Sequence, residues 1–67
     1  MNRERAIILG IIAANDLDGK ISVPIMEILD HAYTHECNDY EILKELVELM
    51  RDGTIYNPAP GMVRRIL

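Results

Sequence analysis

The closing run of the chain, RDGTIYNPAPGMVRRIL at residues 51–67, limits the fold more than any other feature. Its Gly53 is a typical helix stop, and two β-prone segments, TIYN and MVRRIL, then flank the sequence PAPG. Pro60 and Gly61 suit the two central positions of a type II turn, because the second position requires a positive φ. The run therefore predicts a β-hairpin, over about residues 54–67, that closes a small core.

Three segments ahead of the hairpin have the apolar spacing of α-helices. The first helix is predicted over about residues 3–15 and stops at NDLDG. The second is predicted over about residues 24–34 and the third over about residues 39–52, while a short β-prone segment, GKISV, separates the first two. This order predicts one α+β domain over residues 1–67, a winged helix-turn-helix with three helices and a small antiparallel sheet.

Capping residues predict where the second and third helices begin. Ser22 is expected to cap the second helix, with Pro24 in the first turn, where its missing N–H costs nothing. Asn38 stands three residues before Glu41, which is the arrangement of a capping box. Only a short turn is therefore expected between these two helices.

The apolar spacing also predicts which face of each helix is buried. On the first helix the expected core residues are Ile8, Leu9, Ile12 and Ala13, and a neighbouring apolar face holds Ile7, Ile11 and Ala14. On the second helix they are Ile25, Ile28, Leu29 and Ala32. On the third they are Leu43, Leu46, Val47 and Met50, with Ile42 and Leu49 at the margins. The neighbouring face of the first helix is covered either by the domain itself or by another chain or domain.

Composition narrows the class of protein. Hydrophobic residues make up 49% of the chain and charged residues 27%, which is typical of a globular protein. The longest apolar run, residues 6–14, is far shorter than the roughly 20 residues that a membrane-spanning helix needs, and no signal-peptide cleavage pattern follows it. The single cysteine, Cys37, excludes an internal disulfide and fits a reducing compartment. We therefore expect a cytoplasmic protein that does not enter the membrane.

A family resemblance is carried by DGKISVPIMEILDHA and by LKELVELMRDGTIYNPAPGMVRRIL. Together they resemble the small winged-helix domain at the C-terminus of archaeal minichromosome maintenance (MCM) replicative DNA helicases, and the resemblance covers nearly the whole chain. In that family the third helix ends in a Gly-x-Ile-aromatic strand, which a Pro-containing wing and a terminal strand follow. The matching residues are Gly53, Ile55, Tyr56, Pro58, Pro60 and Gly61.

The resemblance implies an accessory domain whose ATPase motor lies upstream in a longer, nucleoid-associated protein. The chain has no phosphate-binding GxxxxGK[ST] loop, so we expect it to be noncatalytic and to bind no cofactor. The expected partners are the helicase core or a replication-initiation protein, and the isolated chain is expected to be a monomer. Winged helices of other archaeal replication and transcription proteins also end in a glycine, a pair of β-strands and a Pro-Gly turn. A free-standing DNA-binding transcriptional regulator is therefore the alternative.

Charge is distributed unevenly along the chain, whose net charge is -4. Residues 24–52 contain eight acidic residues but only Lys44 and Arg51 as basic ones, so the predicted helix-turn-helix would be repelled by DNA phosphates. The candidate residues for weak nucleic-acid contact are Arg3, Arg5, Lys20, Arg64 and Arg65. The candidate residues for protein contact are Ile7, Ile11, Tyr40, Glu41, Glu45 and Glu48. We expect protein binding to dominate and DNA contact to be weak.

Strand geometry separates the two adjacent arginines of the hairpin. Side chains alternate between the faces of a strand, so Arg64 and Arg65 are predicted to point to opposite sides. One is expected to be available to a partner, and the other to lie over the helices or to pair with an acidic residue of the second or third helix. Tyr56 is expected to be a half-buried sheet residue rather than an interface anchor.

Two metal-binding patterns are weak. His31, His35 and Cys37 offer three ligands, but a structural zinc site takes four protein ligands. The sequence DLDGK with Glu27 downstream departs from a calcium loop, because its glycine falls at the fourth loop position and Pro24 at the ninth. We therefore expect no metal site.

Overall fold

The computed structural model describes residues 2–66, so that Met1 and Leu67, the ends of the predicted domain, lie outside the described residues. Its elements in chain order are α1 (Arg3–Leu17), β1 (Val23–Pro24), α2 (Ile25–Tyr33), α3 (Asp39–Arg51), β2 (Ile55–Tyr56) and β3 (Met62–Arg65). The strands form an antiparallel sheet in the order β1-β3-β2. The α+β prediction is confirmed, and the element order is compatible with a winged helix.

All three helices end in the same backbone arrangement. A residue with positive φ follows each helix, and the next N–H donates to the carbonyl five residues earlier. The bonds join Lys20 N to Asn15 O, Cys37 N to Ala32 O, and Thr54 N to Leu49 O, at 2.9, 3.1 and 2.9 Å. Glycine occupies the positive-φ position after α1 and α3, but Glu36 (φ 62°) occupies it after α2. The turn between α2 and α3 is therefore built on a residue that disfavours this conformation.

The boundaries of the helices differ slightly from the predicted ones. α1 ends at Leu17 rather than Asn15, because the chain reverses at Gly19 (φ 81°) and the NDLD segment still forms helical bonds. α2 and α3 each end one residue before the predicted position. The predicted cap of α3 is confirmed, since the Asn38 side chain accepts a 2.8 Å hydrogen bond from Glu41 N.

The predicted cap of α2 is wrong, although the helix begins within one residue of the predicted position. Ser22 does not cap this helix; Pro24 is the N-cap, and no side chain caps the first turn. Pro24 instead belongs to β1, where it lies opposite Met62, and the neighbouring Ile25 N donates to Gly61 O at 2.8 Å. The sheet therefore supplies the contact that sets where α2 begins.

The wing turn has the predicted form. Met62 N donates to Ala59 O at 3.1 Å, which places Pro60 and Gly61 at the two central positions. Gly61 has φ 75°, as the second central position of a type II turn requires. The turn aligns β2 and β3 so that Ile55 lies opposite Arg65.

The core lies between the three helices and the inner face of the sheet. Its buried apolar residues are Ile8, Ile11, Ile12, Val23, Ile28, Ala32, Cys37, Ile42, Leu46, Leu49, Ile55 and Val63. Two predictions about α1 need correction: Ile11 belongs to this core, and Leu9 and Ala13 are only partly buried. The physical reason is that α1 packs against both α2 and α3, so its buried arc is wider than one stripe.

The predicted buried face of α3 is also wrong. Ile42 and Leu49, assigned to the margins, are fully buried, whereas Leu43 and Val47 remain 44% and 50% exposed. Both sets recur at helical spacing, so the apolar pattern alone allows either rotation of the helix. Tertiary packing selects the face that holds Ile42, Leu46 and Leu49.

The rotation of α3 can be tested with one matched pair of substitutions. We expect Leu49→Ala to lower the free energy of unfolding by about 2–5 kcal/mol, because it removes a fully buried side chain and leaves a cavity. Leu43→Ala should cost less than half as much, since its side chain is already 44% exposed. Urea denaturation followed by circular dichroism measures both. Equal losses, or a larger loss at Leu43, would contradict this orientation.

Candidate functional site

An ionic cluster joins the start of α1 to the side of α3 that faces α1. Arg5 Nε lies 2.9 Å from Glu45 Oε2, and Arg5 Nη2 lies 3.2 Å from Asp52 Oδ2. The Asn2 side chain donates to the other Glu45 oxygen at 2.7 Å. Arg5 was expected to contact DNA and Glu45 to contact a protein, but the fold pairs them with each other. Neither group is therefore available to a partner without breaking this cluster.

Hydrogen bonds and charges within the cluster shift three pKa values. The hydrogen bond from Asn2, reinforced by the hydrogen bond and charge of Arg5, lowers the pKa of Glu45 below its ordinary value of 4.5. Hydrogen bonds from Thr54, with a smaller contribution from Arg5, lower the pKa of Asp52 below its ordinary 3.8. The hydrogen bond to Glu45 raises the pKa of Arg5. The folded state thus favours the charged forms of Arg5, Glu45 and Asp52.

The two arginines of β3 have different neighbours, but both line one surface depression, so the prediction that they point to opposite sides is not confirmed. Arg65 follows buried Val63 by two residues, and its Nη2 lies 3.0 Å from Asp16 Oδ2. Arg64 lies opposite Tyr56 on the neighbouring strand. The acidic partner of Arg65 comes from α1 rather than from α2 or α3, which corrects that part of the prediction. Tyr56 is 39% exposed, which agrees with the predicted half-buried sheet residue.

A depression of about 280 Å³ brings together three of the six basic residues that lie outside the ionic cluster. It is lined by Asp16, Gly19, Lys20, Ile21, Arg64 and Arg65. Among residues 2–66, neither Lys20 nor Arg64 takes part in an ion pair, whereas Arg3 approaches Glu4 at 3.8 Å. The fold therefore brings together three of the five expected nucleic-acid contact residues, namely Lys20, Arg64 and Arg65. Arg65 is already paired with Asp16.

The expected protein-contact residues are divided between two places. Ile7 and Ile11 line a groove of about 330 Å³ between α1 and α2, but Ile11 is 7% exposed and forms part of its floor. Tyr40, Glu41 and Glu48 lie exposed on α3, where Glu48 Oε1 is 3.3 Å from Arg51 Nη1. α3 therefore carries the larger accessible part of the expected protein-binding set.

An exposed apolar stripe on α3 was missed by the sequence analysis. It consists of Tyr40, Leu43 and Val47, which are 70%, 44% and 50% exposed. Together with Lys44 and Glu48 these residues line a depression of about 310 Å³. Tyr40, Leu43 and Val47 follow the i, i+3, i+7 spacing of a helix face, but the prediction assigned the last two to the core. The helical spacing of these residues was visible in the sequence, but the prediction placed Leu43 and Val47 on the buried side of the helix.

The histidine and cysteine side chains do not form a metal-binding group. The rings of His31 and His35 are 5.1 Å apart between centroids. Cys37 is buried, and its Sγ lies 3.8 Å from Glu4 Oε2. Within the part of the chain that the structure describes, no cluster of three or more His, Cys, Asp or Glu side chains could hold a metal ion.

Comparisons of this chain with protein-family models, with curated proteins and with solved structures give no match. The resemblance to the MCM winged-helix domain therefore stays a prediction that depends on the sequence. Separately, none of the helices within residues 2–66 is long and apolar enough to cross a membrane.

The ionic cluster predicts a specific dependence of stability on pH. Glu45 and Asp52 have lower pKa values folded than unfolded, so their stabilisation is present above the ordinary values and is lost as the pH falls through the lowered ones. We expect wild type to exceed Glu45→Gln in stability at neutral pH, and the difference to shrink below about pH 4.5. Urea denaturation at several pH values measures this difference.

Asp30→Asn is the matched control, because Asp30 is exposed and takes part in no ion pair among the described residues. Its stability relative to wild type should vary little over the same pH range. If Glu45→Gln and Asp30→Asn showed the same pH profile, the cluster would not be the cause of the effect.

Proposed function

We propose that this chain is a noncatalytic winged-helix domain that binds a protein, and that it serves as an accessory domain of a replicative MCM DNA helicase. The fold and its charge distribution support the protein-binding part. The sequence resemblance described above supports the helicase part. In this role the domain would modulate the ATPase and helicase motor and contact the helicase core or a replication-initiation protein.

The observation that carries the proposal is the charge on α3. In a DNA-reading helix-turn-helix this helix enters the major groove and presents basic or amide side chains to the base edges. Here its exposed polar residues include Asp39, Glu41 and Glu48, against Lys44 and Arg51, and Arg51 is paired with Glu48. In the groove, the acidic side chains of α3 would outnumber its basic ones and would be repelled by the concentrated phosphate charge. Protein binding is therefore the use that this helix fits better.

The intramolecular ion pairs reduce the remaining capacity for DNA. Arg5 is bonded to Glu45 and Asp52, and Arg65 is bonded to Asp16. Lys20 and Arg64 remain as a small basic pair beside the wing. Two such contacts support only weak binding, with a logarithmic salt dependence of about -2.

A titration of the labelled chain with duplex DNA, followed by NMR at about 50 mM and about 200 mM salt, tests this proposal. We expect weak shifts near Lys20 and Arg64 at the lower salt, nearly absent at the higher salt. The amides of α3 should not shift at either salt concentration. Tight binding that perturbs α3 and survives the higher salt would instead favour the transcriptional regulator.

Two variants sharpen the titration. The double substitution Lys20→Gln with Arg64→Gln should abolish the weak shifts, because it removes the two cations of the depression that take part in no ion pair among residues 2–66. Lys44→Gln is the matched control on α3 and should leave the DNA response unchanged. A response that depends on Lys44 but not on Lys20 and Arg64 would contradict the proposal.

The helicase part of the proposal has a separate test in the upstream coding sequence. If the chain is an accessory domain, an open reading frame continuous with it should encode an ATPase motor with a GxxxxGK[ST] loop. A promoter directly ahead of this chain would argue against the helicase assignment and leave the protein-binding role to be judged by the titration.

A further inference from the structure

The basic depression beside the wing is held together by the backbone of the fold. Its lining comes from the end of α1, from the turn that follows and from β3, and it consists of Asp16, Gly19, Lys20, Ile21, Arg64 and Arg65. β1 pairs with β3 so that Val23 lies opposite Val63, and the same antiparallel register continued brings residues 20–22 alongside residues 64–66. The pairing of these strands therefore places Lys20 beside both arginines.

The lining of the basic depression carries a net charge of +2, from three cations and one carboxylate. Two of the cations, Lys20 and Arg64, take part in no ion pair among residues 2–66. The third, Arg65, lies 3.0 Å from Asp16, but its side chain remains 45% exposed. Since the whole chain carries -4, the residues outside the depression carry -6. The depression is thus a local excess of positive charge on an acidic protein.

This charge distribution favours a compact anion as the ligand. Guanidinium groups bind the oxygens of carboxylates and phosphates in a planar fork, and a lysine ammonium adds a point charge. A carboxylate brings one negative charge, whereas a phosphate monoester brings about -1.5 to -2 at neutral pH and so matches the +2 of the lining. A long polyanion fits less well, because its other phosphates would be repelled by the -6 of the remaining chain.

Ile21 adds an apolar contact to this charged lining. Its side chain is 64% exposed where it lines the depression. Inorganic phosphate leaves such a surface uncovered, whereas an ester carries an organic group that covers part of it. The volume of about 280 Å³ is just below that of pockets for drug-sized ligands, which suits one phosphate group with a small organic substituent.

We propose that the basic depression binds the phosphate group of a small phosphate monoester. Lys20 and Arg64 contact the phosphate oxygens, and Ile21 contacts the organic group. Asp16 competes with the ligand, because its carboxylate already holds the guanidinium of Arg65. This site goes beyond the proposed protein-binding function and does not depend on it.

Titration of the labelled chain with phenyl phosphate and with inorganic phosphate, followed by NMR at constant ionic strength, tests this site. We expect saturable shifts of the amides of residues 19–21 and 64–65, with phenyl phosphate bound about threefold more tightly because it covers Ile21. Affinity for phenyl phosphate should fall between about pH 7.5 and about pH 5, since the dianion takes up a proton near pH 6. The titratable residues that face the ligand are Asp16, Lys20, Arg64 and Arg65, none of which is a histidine, so this loss reports on the ligand.

Substitutions of the charged residues assign the binding to the depression. Lys20→Gln and Arg64→Gln should each weaken phenyl phosphate about fivefold, the effect of one unit charge at close range in water. Asp16→Asn should strengthen it by a similar factor, since it releases Arg65 and removes the carboxylate of the lining. Lys44→Gln, on α3, is the matched control for the loss of one positive charge and should leave affinity unchanged.

The apolar contact has its own variant. Ile21→Ser should remove the preference for phenyl phosphate over inorganic phosphate and leave the binding of inorganic phosphate intact. Circular dichroism confirms that every variant is folded. Acetate and the pH series are measured on the wild-type chain and therefore do not depend on the folding of any variant.

Several outcomes would overturn the phosphate site. These are shifts that do not saturate, acetate bound as tightly as phenyl phosphate, affinity that does not fall at low pH, or equal effects of Lys20→Gln and Lys44→Gln. A 5′-phosphorylated oligonucleotide or a phosphoserine peptide that binds far more tightly than phenyl phosphate would overturn the assignment to a small molecule. DNA binding by α3 at moderate salt would instead remove the proposed function and leave this site in place.

Discussion

The packing of α3 against α1 is the constraint on which the rest of the surface depends. Ile42, Leu46 and Leu49 enter the core, and Arg5 of α1 binds Glu45 and Asp52 on the same side of the helix. Apolar burial and the ionic cluster therefore fix the same rotation of α3. This rotation leaves Leu43 and Val47 outside, and so a requirement of the core determines which apolar side chains face solvent.

The sequence was sufficient for the architecture because its boundaries are set by local interactions. Asn38 caps α3, Gly19 and Gly53 allow the chain to reverse, and Gly61 completes the wing turn. Each of these effects acts within a few residues and can be recognised without knowing the tertiary structure. The contact that sets the start of α2 could not be predicted in this way, because Pro24 pairs with Met62, which is distant in sequence.

The candidate site was less predictable, because it depends on tertiary choices between similar patterns. Both apolar sets of α3 recur at helical spacing, and only contact with α1 and α2 distinguishes them. The pairing of Arg5 with Glu45 joins residues forty positions apart, and the pairing of Arg65 with Asp16 is still more distant. Local sequence patterns do not reveal such distant pairs. The prediction therefore counted Arg5 and Arg65 as free to contact DNA, although both are held in ion pairs.

These ion pairs connect elements of the domain, and they also determine which charges remain on its surface. Arg5 neutralises two carboxylates at the α1 side of α3, while Glu41, one helical turn before Glu45, has no ion-pair partner among residues 2–66. Negative charge is thereby removed where α3 meets its own domain and retained where it meets solvent. The charge that α3 presents to solvent thus follows from how the domain stabilises itself.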